Sequence, residues 1–382
     1  MKNGRRSILY LSGTRADFGL MRHTLQAIAA HAQLRLGVAA CGMHLEPAFG
    51  HTVDEIETAG LPVVARIATD VAARDGAGMS RALAQTLLGL TAQLEHERPD
   101  LLLLLGDRGE MLAGAIAALH LGVPSVHLHG GERSGTVDEP MRHAISKLAT
   151  WHFAATESSR ERLIAMGEEP RRVFVVGAPG LDDIGAARAA PRAPMLRALG
   201  VDGARPYVLV LFHPVVQQAA QAGAQTAELL RGLVDAGGGR HFDVVWLAPN
   251  ADAGSAAVLQ QLDHLPGTWQ RHTNLPRDLY LCALRDAAAL VGNSSSGIIE
   301  AASFGTPVVN VGLRQQLRER NPGTVDVDAL ARPIELAVRA ALGAGRGEPH
   351  NVYGDGHSAQ RIATQLAALP LDDALLLKAN RY

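Results

Sequence analysis

Short apolar runs alternate with helix-length amphipathic segments along most of the chain. The first series of runs is SILYLSG (7–13), LRLGVAA (34–40), LPVVARI (61–67), LLLLLG (101–106), VPSVHLH (123–129), WHFAAT (151–156) and VFVVG (173–177). Patterns of helical period lie between them, such as MSRALAQTLLGLTAQLEHE (79–97). Near-continuous apolar strands alternating with helices predict a parallel sheet covered on both faces. The pattern breaks over 185–206, which is rich in Ala, Arg and Pro and carries no strand signal. A second series follows: YVLVLF (207–212), FDVVWLA (242–248), TWQRHT (268–273), AALVG (288–292) and PVVNVG (307–312). The expected fold class is α/β, with two doubly wound, Rossmann-like parallel-sheet domains in tandem. Residues 1–184 form the first domain, 185–206 a linker with a short helix, and 207–356 the second. A C-terminal helix within 357–382 is expected to pack back on the first domain.

Polar residues gather where the strands end. GTRAD, CGMH, GDRGE, HGGE, HP, PNADAG and GNSSSG each follow an apolar run directly. Ligands of such sheets bind outside the carboxyl ends of the strands, so one site in a cleft between the two domains is expected. The stretch from Val126 to His143 is the densest: eight of its eighteen residues are ionisable, in a chain that is 19% charged overall.

Length and composition narrow the function. With 382 residues the chain exceeds one ordinary core, and 47% hydrophobic residues suffice for two. A net charge of −2 gives no reason to expect nucleic acid or a membrane surface as partner. The two cysteines, Cys41 and Cys282, form neither a disulfide framework nor a metal-ligand spacing, which fits a reducing cytoplasm. The start, MKNGRRSILYLSGTR, has too short an apolar run for a signal peptide, and no window reads as a membrane span.

Each polar segment has a structural and a chemical reading. GNSSSGIIEAASFGTP (292–307) brings a strand to a Gly turn and then to a helix expected to begin near Gly297. Backbone N–H groups there, with Ser294, Ser295 and Ser296, suit a phosphate, and Glu300 one turn on suits ribose hydroxyls; the alternative is an ordinary Ser N-cap. GTRADFG (13–19) offers Arg15 in the same way. GxGxxG with a downstream acid and GxxxxGK[ST] are both absent, against a standard dinucleotide site and a P-loop. Asp107 and Arg108 follow a buried strand; Asp107 on its own reads first as a cap of the next helix. His127 and His129 alternate and so would share a strand face, without a third ligand spacing for a metal. Asp138 and Arg142 are four apart on the next helix, as are Glu139 and His143, which a cap and two surface ion pairs would explain. That leaves Glu132 and the two histidines at the end of a buried strand unexplained. His213 stands after YVLVLF in the second domain, and Arg314 directly after a strand end.

Taken in order, GTRADFG, CGMHLEPAFG, LLGDRGEM, HLHGGERSGTVDEPMRHAISKLA, FHP, PNADAGS and GNSSSGIIEAASFGTPVVNVGLRQ resemble the hydrolysing UDP-N-acetylglucosamine 2-epimerase family, whose members open sialic and legionaminic acid pathways. The resemblance runs from about residue 7 to 328. It implies a GT-B fold and a nucleotide-activated 2-acetamido sugar as substrate. The nucleoside diphosphate leaves by C1–O cleavage, and loss of the C2 proton gives a glycal. Water adds back with inverted C2, releasing a free manno-configured sugar. The resemblance implies no cofactor: neither NAD nor a metal. By the same resemblance Arg15, His213, Ser294, Ser295 and Arg314 face the diphosphate, with Gly297 in the nucleotide loop. Glu300 holds the ribose and Arg108 contacts the nucleotide. Asp107, Glu132 and Asp138 match catalytic carboxylates, Arg142 would orient Asp138, and His44 and His127 match active-site histidines. A homodimer or homotetramer is expected. Gly109 and Leu317 depart from the family pattern, where an aromatic and a Gly are common. The alternatives are a non-hydrolysing epimerase, a GT-B glycosyltransferase and a non-catalytic sugar-nucleotide sensor.

Overall fold

The structure is a computed structural model that describes residues 4–73, 75–135, 138–371, 376 and 378–381. Two compact units divide the chain: Met1–Glu132 with Asp138–Asp182 and Tyr353–Tyr382, and Arg133–Val137 with Asp183–Val352.

The first unit holds strands β1 (Arg6–Ser12), β2 (Leu34–Cys41), β3 (Val63–Ile67), β4 (Leu101–Leu105), β5 (Ser125–Leu128), β6 (Trp151–Ala154) and β7 (Val173–Val175). They form one sheet in the order β3-β2-β1-β4-β5-β6-β7, with every neighbouring pair parallel. Its helices are α1 (Arg15–Ala30), α2 (Val53–Thr58), α3 (Gly76–Glu97), α4 (Gly109–Leu121), α5 (Asp138–Leu148) and α6 (Glu157–Ala165). The run of five leucines in β4 has a direct cause. Leu103 and Leu105 pack with Ile8, Tyr10 and Leu25 on one face, while Leu102 and Leu104 pack with Leu9, Leu90 and Met111 on the other. A strand between two helical layers has no polar face to show.

The second unit holds α7 (Ile184–Ala189), α8 (Arg192–Leu199), β8 (Tyr207–Leu211), α9 (Ala222–Ala236), β9 (Asp243–Leu247), α10 (Ser255–Leu262), β10 (Gln270–His272), α11 (Arg277–Asp286), β11 (Ala289–Gly292), α12 (Ser295–Ile299), β12 (Val308–Val311), β13 (Thr324–Val327) and α13 (Ala331–Ala344). Its sheet runs β10-β9-β8-β11-β12-β13, also parallel throughout. The apolar periodicity does not announce β13, because TVDV is a half-exposed edge strand carrying Asp326. Residues 185–206, expected as a linker with a short helix, contain most of α7 and all of α8. The Arg285 guanidinium donates to the carbonyls of Ala187 and Ala190, each at 2.6 Å, and binds this segment to α11.

After the second unit the chain returns to the first through α14 (Ser358–Ala368). Asp182 accepts the α14 backbone N–H groups of Ser358 at 2.8 Å and Ala359 at 2.5 Å, so its carboxylate satisfies donors left free at the helix start. Ile362, Ala363 and Leu366 join the core against α1. Helix was expected within 357–382; it stops at Ala368, and 372–375, 377 and 382 lie outside the described residues.

Both sheets reverse their winding direction beside their first strand, between β1 and β4 and between β8 and β11. In open α/β sheets ligands bind outside the carboxyl ends of strands at such a switch point. Among the described residues no helix is long and apolar enough to cross a membrane.

The side chain of Leu366 is fully buried, so Leu366→Ala should destabilise the protein by about 2–5 kcal/mol in urea unfolding. Amide exchange should report the loss in the first unit, including β1 and β4, whose sequence lies more than two hundred residues away.

Candidate active site

At the β1 end the chain turns through Gly13 into α1. Thr14 caps α1 by accepting from the Asp17 N–H, and Asp17 returns the bond to the Thr14 N–H at 2.7 Å. This is a capping box written with Asp in place of Glu. The buried Asp17 carboxylate also accepts from the Gly13 N–H at 3.0 Å, the Tyr10 hydroxyl at 3.1 Å and the Ser12 hydroxyl. His44, fully buried, lies 2.9 Å from the Ser12 hydroxyl and 2.8 Å from that of Thr52, and burial lowers its pKa. Arg15 opens α1 and pairs with Glu55 at 2.7 Å.

At the β4 and β5 ends the ionisable residues converge on Arg142. This guanidinium is 1% exposed. It pairs with Asp107, with Glu132 at 3.2 Å, and with the His129 carbonyl at 3.0 Å. The spacing of Arg142 from Asp138 suggested a surface ion pair; Arg142 is instead buried, and it ties the loop after β4 to the loop after β5. Nor is Asp107 the cap of the next helix: Arg108 holds the N-cap position of α4 without a side-chain bond, and Asp107 goes to Arg142. Arg108 lies 3.5 Å from Glu110. Glu139 and His143 do form the expected i,i+4 pair, at 3.7 Å.

His127 and His129 do not share a strand face. Strand β5 ends at Leu128, and His129 turns into the left-handed region at φ +60°. Its ring contacts Glu132, which is 3% exposed. A non-glycine residue held in this region marks a backbone that its surroundings over-determine. Gly131, at φ +78°, makes the turn possible, because a Cβ there would stand 2.2 Å from the Ser159 carbonyl oxygen. His127 Nε2 lies 2.7 Å from the Gly106 carbonyl. A carbonyl only accepts, so Nε2 carries the proton, and Nδ1 accepts from the Ser146 hydroxyl at 3.0 Å. Complete burial pushes the His127 pKa down to about 3.

In the second unit the switch point is closed by Asn293. Its side-chain oxygen accepts from the His213 N–H at 2.7 Å and its amide donates to the His213 carbonyl at 2.8 Å. Asn293 thereby fixes the β8 end against the β11 end. Its own carbonyl accepts from Arg314 at 3.2 Å and Gln315 at 3.0 Å, which brings the loop after β12 to the same place. Gly292, at φ +138°, lets the strands approach: a Cβ there would stand 2.0 Å from the Leu211 carbonyl oxygen. Helix α12 starts at Ser295, two residues before the expected Gly297, and has five residues. Ser294 caps it. So short a helix adds little dipole, and the groups this loop could offer an anion are Ser294, Ser295, His213 and Arg314. Glu300 is buried and held by Ser296 and by Arg277. Arg277 also reaches Asp183 at 3.2 Å. Burial opposes the Arg277 charge, and the Glu300 carboxylate, with Asp183 and Tyr280, more than offsets this, so the Arg277 pKa lies above the ordinary value.

Sequence reasoning passed over Asn293, Gln315, Arg277 and Asp17, and read His129 only as the strand-face neighbour of His127. Only Asp17 had a local signal, the T-x-x-D capping box; the others act through tertiary partners. Among the described residues no group of three or more His, Cys, Asp or Glu side chains is placed to hold a metal ion.

His127 should stay neutral at pH 5 in histidine NMR. The sign follows from linkage: the unfolded chain protonates near pH 6.5 and the folded one near pH 3. Stability should therefore fall with acidification across this window, by up to about 1.4 kcal/mol per pH unit from this residue.

Comparison with known proteins places this geometry. Residues 26–367 match the protein family described as UDP-N-acetylglucosamine 2-epimerase. The chain is 42% identical over 381 residues to a UDP-N,N′-diacetylbacillosamine 2-epimerase (hydrolyzing) of Legionella pneumophila, covering 99% of this chain and 100% of that one. It is 31% identical over 330 residues to a GDP/UDP-N,N′-diacetylbacillosamine 2-epimerase (hydrolyzing) of Campylobacter jejuni, covering 84% of each. In fold it is similar to the crystal structure of a UDP-GlcNAc 2-epimerase from Neisseria meningitidis bound to UDP-GlcNAc, with a TM-score of 0.79 at 17% identity, over 95% of this chain and 100% of that one. The chain thus has the GT-B type of fold and belongs to the UDP-N-acetylglucosamine 2-epimerase family, as a 2-epimerase of nucleotide sugars.

Proposed function

We propose that the protein is a hydrolysing 2-epimerase of UDP-N,N′-diacetylbacillosamine. It would release UDP and free 2,4-diacetamido-2,4,6-trideoxymannose, the sugar of the legionaminic acid type of pathway. The observation that carries the chemistry is the Asp107–Arg142–Glu132 cluster at the β4 and β5 ends, where two carboxylates are oriented by one buried cation. The choice of sugar is supported by the end-to-end identity with the Legionella enzyme.

The C2 proton of such a sugar has no adjacent carbonyl, so its removal must be coupled to departure of the diphosphate from C1. In the first step C1–O breaks with both electrons going to the nucleotide oxygen, and the C2–H electrons form the C1–C2 double bond. In the second, water adds its oxygen to C1 and a proton returns to the opposite face of C2. The net balance is nucleotide sugar plus water giving nucleoside diphosphate, inverted sugar and one proton. Departing negative charge needs donors, which His213, Arg314, Ser294, Ser295 and Arg15 supply in this reading. Proton removal and return need carboxyl groups within hydrogen-bond reach of C2 and C1; these are Asp107, Glu132 and Asp138. Glu300, held by Arg277, takes the ribose hydroxyls, and Arg108 contacts the nucleotide.

Proton NMR in D₂O with UDP-N,N′-diacetylbacillosamine, UDP-GlcNAc and the GDP analogues tests the reading. The expected result is free UDP and a manno-configured sugar deuterated at C2, fastest with the diacetamido substrate. A product that stays nucleotide-linked would overturn the hydrolytic step, and faster turnover of UDP-GlcNAc would overturn the choice of sugar. Asp107→Asn and Glu132→Gln should bind UDP normally and lose about 10²–10⁴-fold in kcat. Arg314→Ala and His213→Ala should weaken UDP binding in calorimetry by about 1.5–3 kcal/mol each, the range for hydrogen bonds to charged groups.

A further inference from the structure

Helix α5 carries Asp138 in its first turn, Arg142 in its middle and Ser146 in its last turn, and its apolar anchors, Ile145 and Leu148, lie only in its last turn. Its buried residues are Arg142, Ile145 and Ser146. Polar contacts at its two ends add to that anchoring. At the N-terminal side Arg142 makes them. At the other side the last carbonyls of a helix have no partner within the helix, and α5 does not supply one itself. Its only basic residue there, Lys147, turns away to Glu168 at 2.9 Å.

The partner comes from the far end of the chain. Lys378 donates to the carbonyls of Ser146 at 2.9 Å, Lys147 at 3.0 Å and Ala149 at 2.8 Å. Its charge is matched by Glu168 at 2.6 Å, a side chain with no exposure that also meets His152 Nε2 at 2.8 Å. The segment around Lys378 is itself fastened, by the Arg381 N–H to the Gly167 carbonyl at 2.9 Å and by Lys147 to Asn380. From Ser146 the contacts continue inward. The Ser146 hydroxyl donates to His127, and His127 donates to the carbonyl of Gly106, the residue before Asp107. Lys378 is thus linked through Ser146 and His127 to the Gly106 carbonyl, one residue before Asp107.

We propose that Lys378 is a positioning residue for the epimerase reaction: its ammonium group clamps the C-terminal carbonyls of α5 and so sets where Asp138, Arg142 and the Ser146–His127–Gly106 path stand. The proposal rests on the reading that these residues act in turnover. A cation at a helix C-terminus also meets the negative end of the helix dipole, which favours this placement over a neutral donor. Glu168 keeps the buried ammonium charged and aimed, since an unpaired cation there would lose its hydration without compensation.

The test compares full-length wild type with Lys378→Met and Lys378→Arg by amide exchange, steady-state kinetics, UDP calorimetry and thermal melting. In Lys378→Met, exchange over 138–148 and 106–108 should rise about tenfold against the other helices of the unit. Its kcat should fall about 10–100-fold, as for reacting groups displaced by an ångström, while KM and UDP affinity hold within about threefold. Lys378→Arg should recover most of both. Lys378→Gln, which keeps a donor, gives the same comparison should the Met variant not fold. Unchanged exchange over α5, or a kcat loss that the Arg variant does not relieve at normal melting temperature, would overturn the clamp. If wild type turns over no nucleotide sugar, the functional reading fails, and the exchange comparison still decides whether Lys378 holds α5.

Discussion

The buried guanidinium of Arg142 is the interaction on which the first unit's site depends. Taking a cation out of water carries a penalty of several kcal/mol unless partners replace the lost hydration. Here Asp107, Glu132 and the His129 carbonyl do so from two different loops. The arrangement is costly to break on either side, because removing one partner strands the others. That is a sufficient reason for the loops after β4 and β5 to have one conformation. It also accounts for the left-handed backbone of His129, whose carbonyl is turned toward Arg142 while its ring meets Glu132.

The second unit solves the same problem with a neutral group. Asn293 bonds both backbone atoms of His213 and offers its carbonyl to Arg314 and Gln315. A side-chain amide can imitate a strand partner at the point where parallel strands diverge, and this one does. The difference between the units is chemical. Carboxylates oriented by a cation suit proton transfer, whereas hydroxyls and cations around a neutral suture suit a departing diphosphate. In the proposed reaction, having each set fixed in advance would let charge and protons move without reorganising the protein's own dipoles.

Much of the fold was legible because each apolar strand lies between two helical layers, so that its whole length reads as hydrophobic. Strand β4, LLLLL, is the plainest case. Strand β13 escaped because an edge strand with Asp326 has no such constraint. The helical character of 185–206 was understated because Ala, Arg and Pro there follow no strong apolar period, and Arg285 supplies the tie from another helix. Within the site, the positions at strand ends were legible and the partnerships were not. Asp107 read locally as a cap, and Arg142 read locally as a surface residue.

The sequence by itself determined the alternation of strands and helices, the tight glycine turns, the T-x-x-D cap of α1 and the gathering of ionisable residues after apolar runs. All of these are set by neighbours within a few residues, through backbone sterics and the periods of 2 and 3.6. Tertiary structure alone decided the strand order, and with it which strand ends face each other at the switch points. It also decided that Arg142 turns inward, that Arg277 holds Glu300, and that Lys378 reaches the end of α5 across 232 residues of chain. The physical reason is the same in each case. A buried charge takes whatever compensating group the packed fold brings within 3 Å or so, and chain distance carries no information about which group that will be.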